Sequence, residues 1–504
     1  MLRPAHWRGV SPIASHTTFR ALTEGISRYE ASGPDVAITG ITADSRQAGP
    51  GSAFIAIPGY QADGHSYIAA AIAAGAVAVI YQSPGFENLF ADATSLRVDD
   101  ARLATAIVAD RFFDHPSGKM DVIAVSGTNG KTTTVTMLDS IFRAAGFTPG
   151  SIGTLGATIG DQHLPGDRTT PDAIGLQSVF AQMVDAGVTH AAVEITSHAL
   201  DLRRAYGTRF AAAVFTNLSQ DHLDWHHTME AYFASKAVLF TDYVRFSPDM
   251  RGAVNIDDPW GPRLAELAEC EVITYGIRGR ADVAAVDTKL SPLGTSFRLS
   301  IGGETAPLHT PLAGRHNIYN CLAAAAAARA VGIDVDSIVA GLEAVSRIDG
   351  RLERVERDAP FTVMVDYAHT PEALQNVLTA VRDLTKSRVI CVFGCGGDRD
   401  KTKRPKMGAI AAEMCDVVVV TSDNPRSEDP EAIIADTLAG IERPDVIVEP
   451  DRRSAIAAAI ELAGPGDLVL LAGKGHETYQ EFAAGRIDFD DRVVAAEIID
   501  AMGQ

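Results

Sequence analysis

The chain has 504 residues, of which 46% are hydrophobic, and its formal net charge is -20. Chains of this length usually hold about three domains, and the hydrophobic content is enough for large cores, so composition excludes an intrinsically disordered protein. The negative charge argues against a nucleic-acid-binding surface. An enzyme is the default expectation.

Cysteine usage and the N-terminus indicate a cytoplasmic protein. The five cysteines are too few and too scattered for a disulfide framework, so free thiols are predicted. Cys391 and Cys395 are close in sequence, but no second Cys/His pair completes a zinc set. The first residues contain arginines but no continuous apolar segment, which argues against a signal peptide. The most apolar run, CLAAAAAARAVGI, is too short to span a bilayer.

In chain order, residues 1–115 form a first section that mixes short strand-like runs with one alanine-rich helix. The runs AFIAIPG and AVAVIYQ have the composition of strands, and SYIAAAIAAGA between them has that of a helix. A second section covers residues 116–348 and a third covers residues 349–504, with a linker near Asp349. We expect these three sections to be three domains.

The second section opens with MDVIAVSGTNGKTTT, which predicts a strand, a glycine turn and the start of a helix. The common phosphate-binding loop is G-x-x-x-x-G-K-[ST], and this chain has Val125 where that pattern requires glycine. Successive N–H groups from Gly127 to Thr132, ahead of a helix N-terminus, would still cradle a phosphate. Lys131 would reach the β- and γ-phosphates, and Thr132 would bind Mg²⁺. An ordinary strand-to-helix turn is the alternative, but the context favours a nucleotide site.

Two later stretches carry acids and imidazoles. HAAVEITSH ends a predicted strand at Glu194, where a carboxylate suits a Mg²⁺ ligand, although a helix-capping glutamate is an equal alternative. NLSQDHLDWHH places His222 among acids without the H-E-x-x-H spacing of a zinc protease, which favours a Mg²⁺ ligand over zinc. Lys236 follows in an apparent helix, and by itself it would be a surface lysine.

The third section repeats strand and helix. Its predicted strands are FTVMVDYA, RVICVFGCGG, DVVVVTSDNPR and DLVLLAGKGHE, with helices predicted from Pro371, from about Arg404 and from Asp429. Each strand runs into a polar loop. In open α/β sheets ligands bind beyond the carboxyl ends of the strands, so these loops are the expected site.

Seven segments occur in the order found in the Mur ligases, the ATP-dependent amide ligases that build the peptidoglycan stem peptide. They are GTNGKTTT, EITSH, TNLSQDHLDWHHTMEAYFASKAVLF, GRHNIYN, GRLERV, DYAHTPEAL and DNPR. With flanking matches they extend from about Asp44 to Glu477, nearly the whole chain. The family's phosphate loop has the shorter form G-T-x-G-K-T, which accounts for Val125. The combination most resembles family members that add meso-2,6-diaminopimelate.

The resemblance implies an α/β fold of three domains: a UDP-sugar-binding domain, a central P-loop ATPase with a mostly parallel sheet, and a C-terminal Rossmann-like domain. It implies ATP and two Mg²⁺ as cofactors, and a carbamate formed from CO₂ on Lys236 that helps to bind the second metal. Catalytic roles fall on Lys131, His222 and Lys236. The implied metal ligands are Thr132, Glu194, His222 and Lys236. The implied ATP contacts are Gly127, Thr128, Asn129, Gly130, Lys131, Thr132, Thr133, Asn317, Asn320, Arg351 and Asp366.

Substrate contacts are also implied by the resemblance. The UDP end of the sugar nucleotide is assigned to Ser45, Tyr60, Gln61 and Ala62. The muramoyl-dipeptide is assigned to Thr169, Thr170, Thr196 and Arg204. Diaminopimelate is assigned to Arg399, Asp423, Asn424, Pro425, Arg426, Gly473 and Glu477. Arg426 could grip the distal carboxylate in a bidentate pair, and Glu477 could bind the distal ammonium. A plain Asx-Pro turn is the alternative for DNPR.

The implied reaction has two steps. The D-glutamyl carboxylate of UDP-N-acetylmuramoyl-L-Ala-D-Glu attacks the γ-phosphate of ATP, and the amine of meso-diaminopimelate then attacks the acyl phosphate. Alternatives are a ligase that adds L-lysine, a folylpolyglutamate synthetase, which the TADSR and YQADG segments do not support, and a nucleotide-binding homologue without activity. A nucleic-acid-dependent ATPase fits the charge poorly. The expected partners are the two substrates, without nucleic acid or membrane, and a monomer is expected.

Overall fold

A computed structural model describes residues 17–59, 62–90, 93–166, 168–291 and 293–502. The chain divides into two compact units. Unit 1 comprises Met1–Ala284 and Leu322–Gly341, and unit 2 comprises Ala285–Cys321 and Leu342–Gln504. The three-domain division with boundaries at 115 and 348 stays a prediction.

The first part of unit 1 contains a parallel sheet of four strands in the order β1-β2-β3-β4. Its elements are α1 (Phe19–Thr23), β1 (Gly40–Thr42), β2 (Ser52–Ala56), α2 (Ile68–Ala73), β3 (Ala78–Tyr81), β4 (Thr94–Arg97) and α3 (Ala101–Phe112). The predicted run AVAVIYQ contains β3, the predicted run AFIAIPG contains all of β2 except Ser52, and both strands are fully buried. Ile55, Ile80 and Val108 belong to the core that α3 shares with this sheet.

The rest of unit 1 is built on a larger sheet. Its strands are β5 (Asp121–Ser126), β6 (Pro149–Gly153), β7 (Gly156–Ile159), β8 (Gln162–Leu164), β9 (His190–Glu194), β10 (Ala212–Phe215), β11 (Arg251–Asn255) and β12 (Glu271–Gly276). Their order is β12-β11-β10-β5-β9-β6-β7-β8. The strands pair in parallel from β12 to β6, and β6, β7 and β8 pair antiparallel. The carboxyl ends of β5, β9 and β10 therefore lie at one edge, where ligands are expected.

Helices pack against this sheet. They are α4 (Lys131–Ala144), α5 (Ala173–Asp185), α6 (Ser197–Asp201), α7 (Leu223–His226), α8 (Met229–Thr241) and α9 (Gly261–Leu267). Short 3-10 helices occupy Ser45–Gln47, Gly64–Tyr67, Glu87–Leu89, Pro116–Lys119 and Tyr243–Phe246. Three elements carry the chain across the boundary between the units: β13 (Val283–Ser291), α10 (Arg315–Ala330) and α11 (Val335–Ala344).

Unit 2 contains an antiparallel pair, β14 (Gly294–Ile301) and β15 (Glu304–Thr310), and a six-stranded sheet in the order β16-β17-β21-β18-β19-β20. The six strands are β16 (Glu353–Arg354), β17 (Thr362–Asp366), β18 (Val389–Phe393), β19 (Val417–Val420), β20 (Ile447–Val448) and β21 (Leu468–Ala472). All but β16 pair in parallel.

The remaining elements of unit 2 are α12 (Pro371–Leu384), α13 (Lys403–Met414), α14 (Pro430–Leu438), α15 (Arg452–Leu462), the hairpin β22 (Tyr479–Phe482) and β23 (Gly485–Asp488), and α16 (Asp491–Met502). Two hydrophobic cores flank the sheet: one includes Leu378 and Met407, and the other includes Ile456 and Ile499. The unit is thus a doubly wound α/β sheet, and the prediction of strands alternating with helices in this section is confirmed.

None of the helices in the described parts of the chain is long and apolar enough to cross a membrane. All five cysteines are free thiols, and all but Cys270 are buried.

Candidate functional site

The predicted phosphate loop joins β5 to α4, and two glycines shape it. Gly127 has φ +144° and Gly130 has φ +85°, values that favour glycine. A Cβ built on Gly127 would lie only 1.9 Å from Thr216 Oγ1, so a larger residue does not fit. Val125 is fully buried within β5 and belongs to the core of the sheet. The helix begins at Lys131, directly after the loop, so its N-terminus faces the region where an anion is favoured.

Residues just after β10 brace this loop. The N–H of Thr128 donates to Asn217 O and that of Asn129 donates to Asn217 Oδ1, both at 2.9 Å. Thr216 Oγ1 donates to Asn129 O at 2.7 Å. Neither Thr216 nor Asn217 was predicted from the sequence to act at the site. Their position directly after a buried strand could have indicated this role, because side chains there can reach the loop of the neighbouring strand.

The ammonium group of Lys131 lies over the loop. Its Nζ donates to the carbonyl oxygens of Gly127 at 2.9 Å and Thr128 at 2.7 Å. Thr132 and Thr133 follow in the first turn of α4, and both are buried. The loop therefore carries a cation and the start of a helix together, as a phosphate site requires.

Lys236 is buried in α8, with only 1% of its surface exposed. The surface-lysine alternative is therefore wrong. Its Nζ donates to Gly127 O at 2.9 Å and lies 4.7 Å from the centre of the Tyr232 ring. The Tyr232 hydroxyl is 3.2 Å from Thr128 Oγ1, so α8 contacts the phosphate loop twice. Burial, assisted by the charge of Lys131, holds the pKa of Lys236 well below its usual range.

Glu194 ends β9 and is almost fully buried. Its Oε1 accepts the N–H of Thr154 at 2.8 Å, and Thr154 Oγ1 lies 3.0 Å from Thr169 Oγ1. A Cβ on Gly153 would lie 2.1 Å from Glu194 Oε1, so glycine leaves room for the carboxylate. The neighbouring helix α6 is capped by Thr196, not by Glu194. The helix-capping alternative for Glu194 is therefore wrong.

Three further residues predicted to bind the muramoyl-dipeptide lie together beside β9. Thr170 Oγ1 donates to Glu194 O at 2.8 Å and lies 3.4 Å from Thr196 Oγ1. Arg204 Nη1 donates to Thr170 O at 3.0 Å. Burial, together with the nearby charge of Arg168, lowers the pKa of Arg204. The structure thus brings hydroxyl donors and a guanidinium next to the predicted metal ligand Glu194.

His222 precedes α7 with φ +54°, a conformation that is uncommon for residues other than glycine. Its ring lies edge-on to that of His198, with centroids 4.7 Å apart. Burial lowers the pKa of His222, opposed by Asp221, and the charges of Lys236 and Lys131 act in the same direction as burial. His222 is therefore within electrostatic range of both lysines.

The predicted metal ligands Thr132, Glu194 and His222 are few for a hard cation. Within the described ranges, no group of three or more His, Cys, Asp and Glu side chains is placed to hold a metal ion. Thr132, Glu194 and His222 contribute one hydroxyl, one carboxylate and one imidazole. A hard cation such as Mg²⁺, which prefers several oxygen ligands, would need more anionic oxygens than these residues supply.

The residues predicted to hold the UDP end lie in the first part of unit 1. Ser45 begins a 3-10 helix that Asp44 caps, and it is partly exposed. Ala62 is exposed. Tyr60 and Gln61 lie outside the described residues.

Four residues predicted to contact ATP lie in unit 2. Asn320 Nδ2 donates to Asn317 Oδ1 at 3.0 Å, and Asn317 Nδ2 donates to a carbonyl oxygen of its own segment. Asp366 accepts two backbone N–H groups, and burial raises its pKa while the charge of Arg351 opposes that shift. The guanidinium of Arg351 lies 5.4 Å from the centre of the Tyr367 ring.

Arg426, predicted to bind the distal carboxylate of the amino acid, is tightly held in unit 2. Its φ is +54°, a strained value for arginine. Its N–H donates to Glu481 O at 2.8 Å, its Nε to Glu481 Oε2 at 3.2 Å, and its Nη1 to Gly397 O at 2.8 Å. A Cβ on Gly396 would lie 3.0 Å from Arg426 Nη1 and 3.9 Å from Arg399 Cγ, so both predicted arginines flank Gly396.

Two other residues predicted to bind diaminopimelate, Asn424 and Glu477, are hydrogen-bonded to each other and to Lys474, which was not predicted as a site residue. Asn424 Nδ2 donates to Glu477 Oε2 at 2.8 Å. Lys474 Nζ donates to Asn424 Oδ1 at 3.2 Å and to Glu477 Oε2 at 3.1 Å. The N–H of Glu481 also donates to Asn424 Oδ1. Because this oxygen accepts from distant segments and not from the N–H of Arg426, the plain Asx-Pro turn is not formed.

Glycines leave room for Asp423 and Pro425, the other two residues of the DNPR segment. A Cβ on Gly473, which has φ +116°, would lie 2.5 Å from Asp423 Oδ2. A Cβ on Gly397 would lie 1.9 Å from Pro425 O. Asp423 Oδ2 is a buried oxygen without a hydrogen-bond partner in the described structure, an acceptor that a ligand could satisfy.

A buried ion pair supports the loops that follow β19 and β21. It was not predicted from the sequence. Arg452 binds Asp491 through Nε and Nη2, each at 2.7 Å, and neither side chain is exposed. Arg452 also donates to Ser422 O and Ala472 O, the residues before Asp423 and Gly473. The sequence gives little indication of this pair, because an arginine early in a helix and an aspartate far away in sequence are usually solvent-exposed.

Three family matches cover most of the chain. Residues 37–113 match the catalytic domain of the Mur ligase family, residues 125–328 match the Mur ligase middle domain, and residues 350–475 match the glutamate ligase domain of Mur ligases. The predicted boundaries at 115 and 348 fall in the gaps between these matches.

Relatives with similar sequences carry one name, UDP-N-acetylmuramoyl-L-alanyl-D-glutamate–2,6-diaminopimelate ligase. The protein of that name from Solibacter usitatus is 45% identical over 92% of this chain and 94% of its own, and that from Geobacillus thermodenitrificans is 44% identical over 91% and 94%. A solved structure of the same name is 33% identical, covers 97% of this chain and 100% of its own, and has a TM-score of 0.71. The chain therefore belongs to the Mur ligase family and is an ATP-dependent ligase of that family.

Proposed function

We propose that this chain adds meso-2,6-diaminopimelate to UDP-N-acetylmuramoyl-L-Ala-D-Glu, using ATP and an acyl-phosphate intermediate, in peptidoglycan precursor synthesis. The observation that carries this proposal is the paired arrangement in unit 2, where Arg426 and the Asn424–Glu477 pair offer a guanidinium and a carboxylate. An amino acid with a second carboxylate and a second ammonium group complements both. L-Lysine lacks the distal carboxylate, so it would leave Arg426 without a ligand.

In the first step the D-glutamyl carboxylate of the sugar nucleotide attacks the γ-phosphate of ATP and releases ADP. The loop amides from Gly127 to Thr132 hold the phosphates, and the ammonium of Lys131 neutralises charge on them. Thr170, Thr196 and Arg204 orient the dipeptide beside Glu194. In the second step the neutral amine of diaminopimelate attacks the acyl carbon and phosphate leaves.

The residues present fit Mg²⁺ if Lys236 becomes an anion. A buried amine whose pKa is lowered holds a neutral population, and its nitrogen can add to CO₂ with loss of a proton to form a carbamate. Thr132, Glu194, His222 and carbamylated Lys236 would then hold the metal. When bound, Mg²⁺ supplies charge neutralisation during phosphoryl transfer.

The carbamate has a direct test. The protein is equilibrated with ¹³C-labelled bicarbonate, and a carbamate carbon signal is expected in its NMR spectrum. The signal should be missing from Lys236→Met and present in Lys386→Met, which alters an exposed lysine. A signal that persists in Lys236→Met would refute this assignment.

The reaction is tested by phosphate release with ATP, Mg²⁺ and UDP-N-acetylmuramoyl-L-Ala-D-Glu, adding meso-diaminopimelate or L-lysine in parallel. Release that depends on diaminopimelate, with the tripeptide product identified by mass, is expected. Arg426→Lys should raise KM for diaminopimelate about 10- to 100-fold, because a bidentate guanidinium contact is lost. Release with lysine alone would overturn the proposed specificity, and release with neither would favour a homologue without activity.

The cellular setting follows from the substrates. ATP and a nucleotide-linked sugar are soluble metabolites, so we place the reaction in the cytoplasm. We also propose that the protein is a monomer. Light scattering of the purified protein checks the oligomeric state.

A further inference from the structure

Lys474 is a buried cation beside the predicted amino-acid site, and neither the family resemblance nor the proposed mechanism gives it a role. Its side chain has 0% exposure. Its Nζ donates to Asn424 Oδ1 at 3.2 Å and Glu477 Oε2 at 3.1 Å, and it lies 5.5 Å from the centre of the Tyr479 ring. A side chain enclosed in this way acts on a ligand through the residues it binds.

Lys474 determines the orientation of the Asn424 side chain. The amide oxygen accepts from two donors, the Lys474 ammonium and the N–H of Glu481, and the amide nitrogen donates to Glu477. An ammonium has no acceptor, so it can bind only the oxygen end of the amide. This arrangement leaves one N–H of Asn424 to donate to a carboxylate of the substrate.

Lys474 also orients Glu477. Both hydrogen bonds that Glu477 receives fall on Oε2, one from Asn424 and one from Lys474. In the described structure Oε1 receives none, and it is the oxygen that would accept the distal ammonium. Lys474 Nζ lies 3.1 Å from Glu477 Oε2, so the partly buried carboxylate has a charged partner, and an unpaired charge there would be costly.

We propose that Lys474 is a positioning residue for the amino-acid substrate, which aligns Asn424 and Glu477 for the distal carboxylate and ammonium. The proposal rests on the proposed function, because it assigns these two residues to diaminopimelate. It concerns the amino acid only, so binding of ATP and of the sugar nucleotide does not depend on Lys474.

The test uses Lys474→Met in the full-length protein, which keeps most of the side-chain volume and removes the charge. KM for meso-diaminopimelate should rise about tenfold or more, since hydrogen bonds from a charged donor are lost, while KM for ATP and for the sugar nucleotide stays within about twofold. Calorimetry should show a matching loss of diaminopimelate affinity. Arg388→Met is the matched control: it breaks the pair with Asp467 at the amino ends of β18 and β21, away from Lys474, and should leave all three KM values unchanged.

A second variant, Lys474→Met/Glu477→Gln, keeps the test valid if the single variant does not fold, because it leaves no unpaired carboxylate. Its KM for diaminopimelate should equal that of Glu477→Gln, as expected for two residues that act as one unit. Equal rises in all three KM values, or unchanged diaminopimelate binding by Lys474→Met, would overturn the positioning role alone. Failure of the unaltered protein to bind or use diaminopimelate would overturn the proposed function and this inference with it.

Discussion

The predicted phosphate site in unit 1 and the predicted amino-acid site in unit 2 differ in whether their buried cations have carboxylate partners. In unit 1 the amine of Lys236 is almost fully buried, its hydrogen bond goes to a carbonyl oxygen, and no carboxylate in the described ranges lies within ion-pair distance. In unit 2 the buried cations are bonded to carboxylates: Arg404 to Glu428 and Arg452 to Asp491. An unpaired buried charge is costly, so the first site favours the neutral form of the Lys236 amine. The second has its charges balanced before any ligand arrives.

This difference matches the chemistry proposed for each site. Phosphoryl transfer concentrates negative charge on phosphates, and the ammonium of Lys131 at the phosphate loop would neutralise part of that charge. Amino-acid recognition requires fixed positions for a few polar groups, and paired side chains are held more rigidly than solitary ones. Substitutions of the charged residues in each unit test this contrast.

Removal of the Lys236 amine should have the largest effect. Lys236→Met should lower the rate of product formation at saturating substrate by about 10²–10³-fold, because the site loses the carbamate that would help to hold Mg²⁺ and to neutralise charge during phosphoryl transfer. The measurement is phosphate release with all substrates present. Lys386→Met should retain the wild-type rate. A decrease of less than tenfold in Lys236→Met would show that the site in unit 1 does not depend on this amine.

In unit 2, removing one partner of a buried ion pair should destabilise the fold more than removing both partners. Arg452→Met leaves Asp491 buried without its partner and should destabilise unit 2 by about 3–5 kcal/mol, whereas Arg452→Met/Asp491→Leu should recover most of that loss. Hydrogen exchange of peptides from β21 in increasing urea measures both. Arg453→Met, which breaks an exposed pair with Glu497, should change stability by about 0.5 kcal/mol or less. If the double variant were as unstable as the single one, the pair would contribute more than charge balance.

Most of the fold could be predicted from the sequence because its strands are short apolar runs that end in polar loops. The parallel strands β18, β19 and β21 are apolar along their length, and β17 is apolar between its two end residues. The antiparallel hairpin of β22 and β23 was not predicted. Most of its residues are partly or fully exposed, so its pattern lacks the apolar signal of a buried strand.

The site was predictable where a backbone conformation requires a residue type, and not where two distant side chains meet. Gly127 and Gly130 could be assigned because a phosphate loop needs positive φ. Lys474 lies in the segment GKGHE, after the predicted strand DLVLLA, yet nothing in that segment indicates that it contacts Asn424. Such contacts depend on which strands are neighbours, and the order β21-β18-β19 is not encoded by any local pattern.

The ion pairs of Glu428 in unit 2 should make the stability of the fold depend on pH. Its hydrogen bonds to Arg404 and Lys401 lower the pKa of Glu428 from 4.5 to about 2. A carboxylate whose pKa is lower in the folded state stabilises the fold fully above pH 4.5, and that contribution is lost as the pH falls towards 2. Glu428→Gln should therefore be less stable at pH 7 and show a shallower loss between pH 4.5 and 2, measured by hydrogen exchange of peptides from α13. Glu497→Gln should keep the wild-type slope, and an unchanged slope in Glu428→Gln would contradict this assignment.

The smallest effect is expected at Glu481. Its side chain pairs with Arg426 Nε at 3.2 Å, but both side chains are partly exposed, and such pairs contribute about 0.2–1 kcal/mol. Its carbonyl oxygen also accepts the N–H of Arg426 at 2.8 Å, a contact that Glu481→Gln preserves. KM for diaminopimelate should therefore rise by no more than about fivefold in Glu481→Gln. Arg486→Gln, which removes a second cation from the same carboxylate, should leave KM unchanged. A rise of about 100-fold in Glu481→Gln would mean that the ion pair, and not the backbone contact, holds Arg426 in its strained conformation, and the balance of charges would then be essential to the amino-acid site.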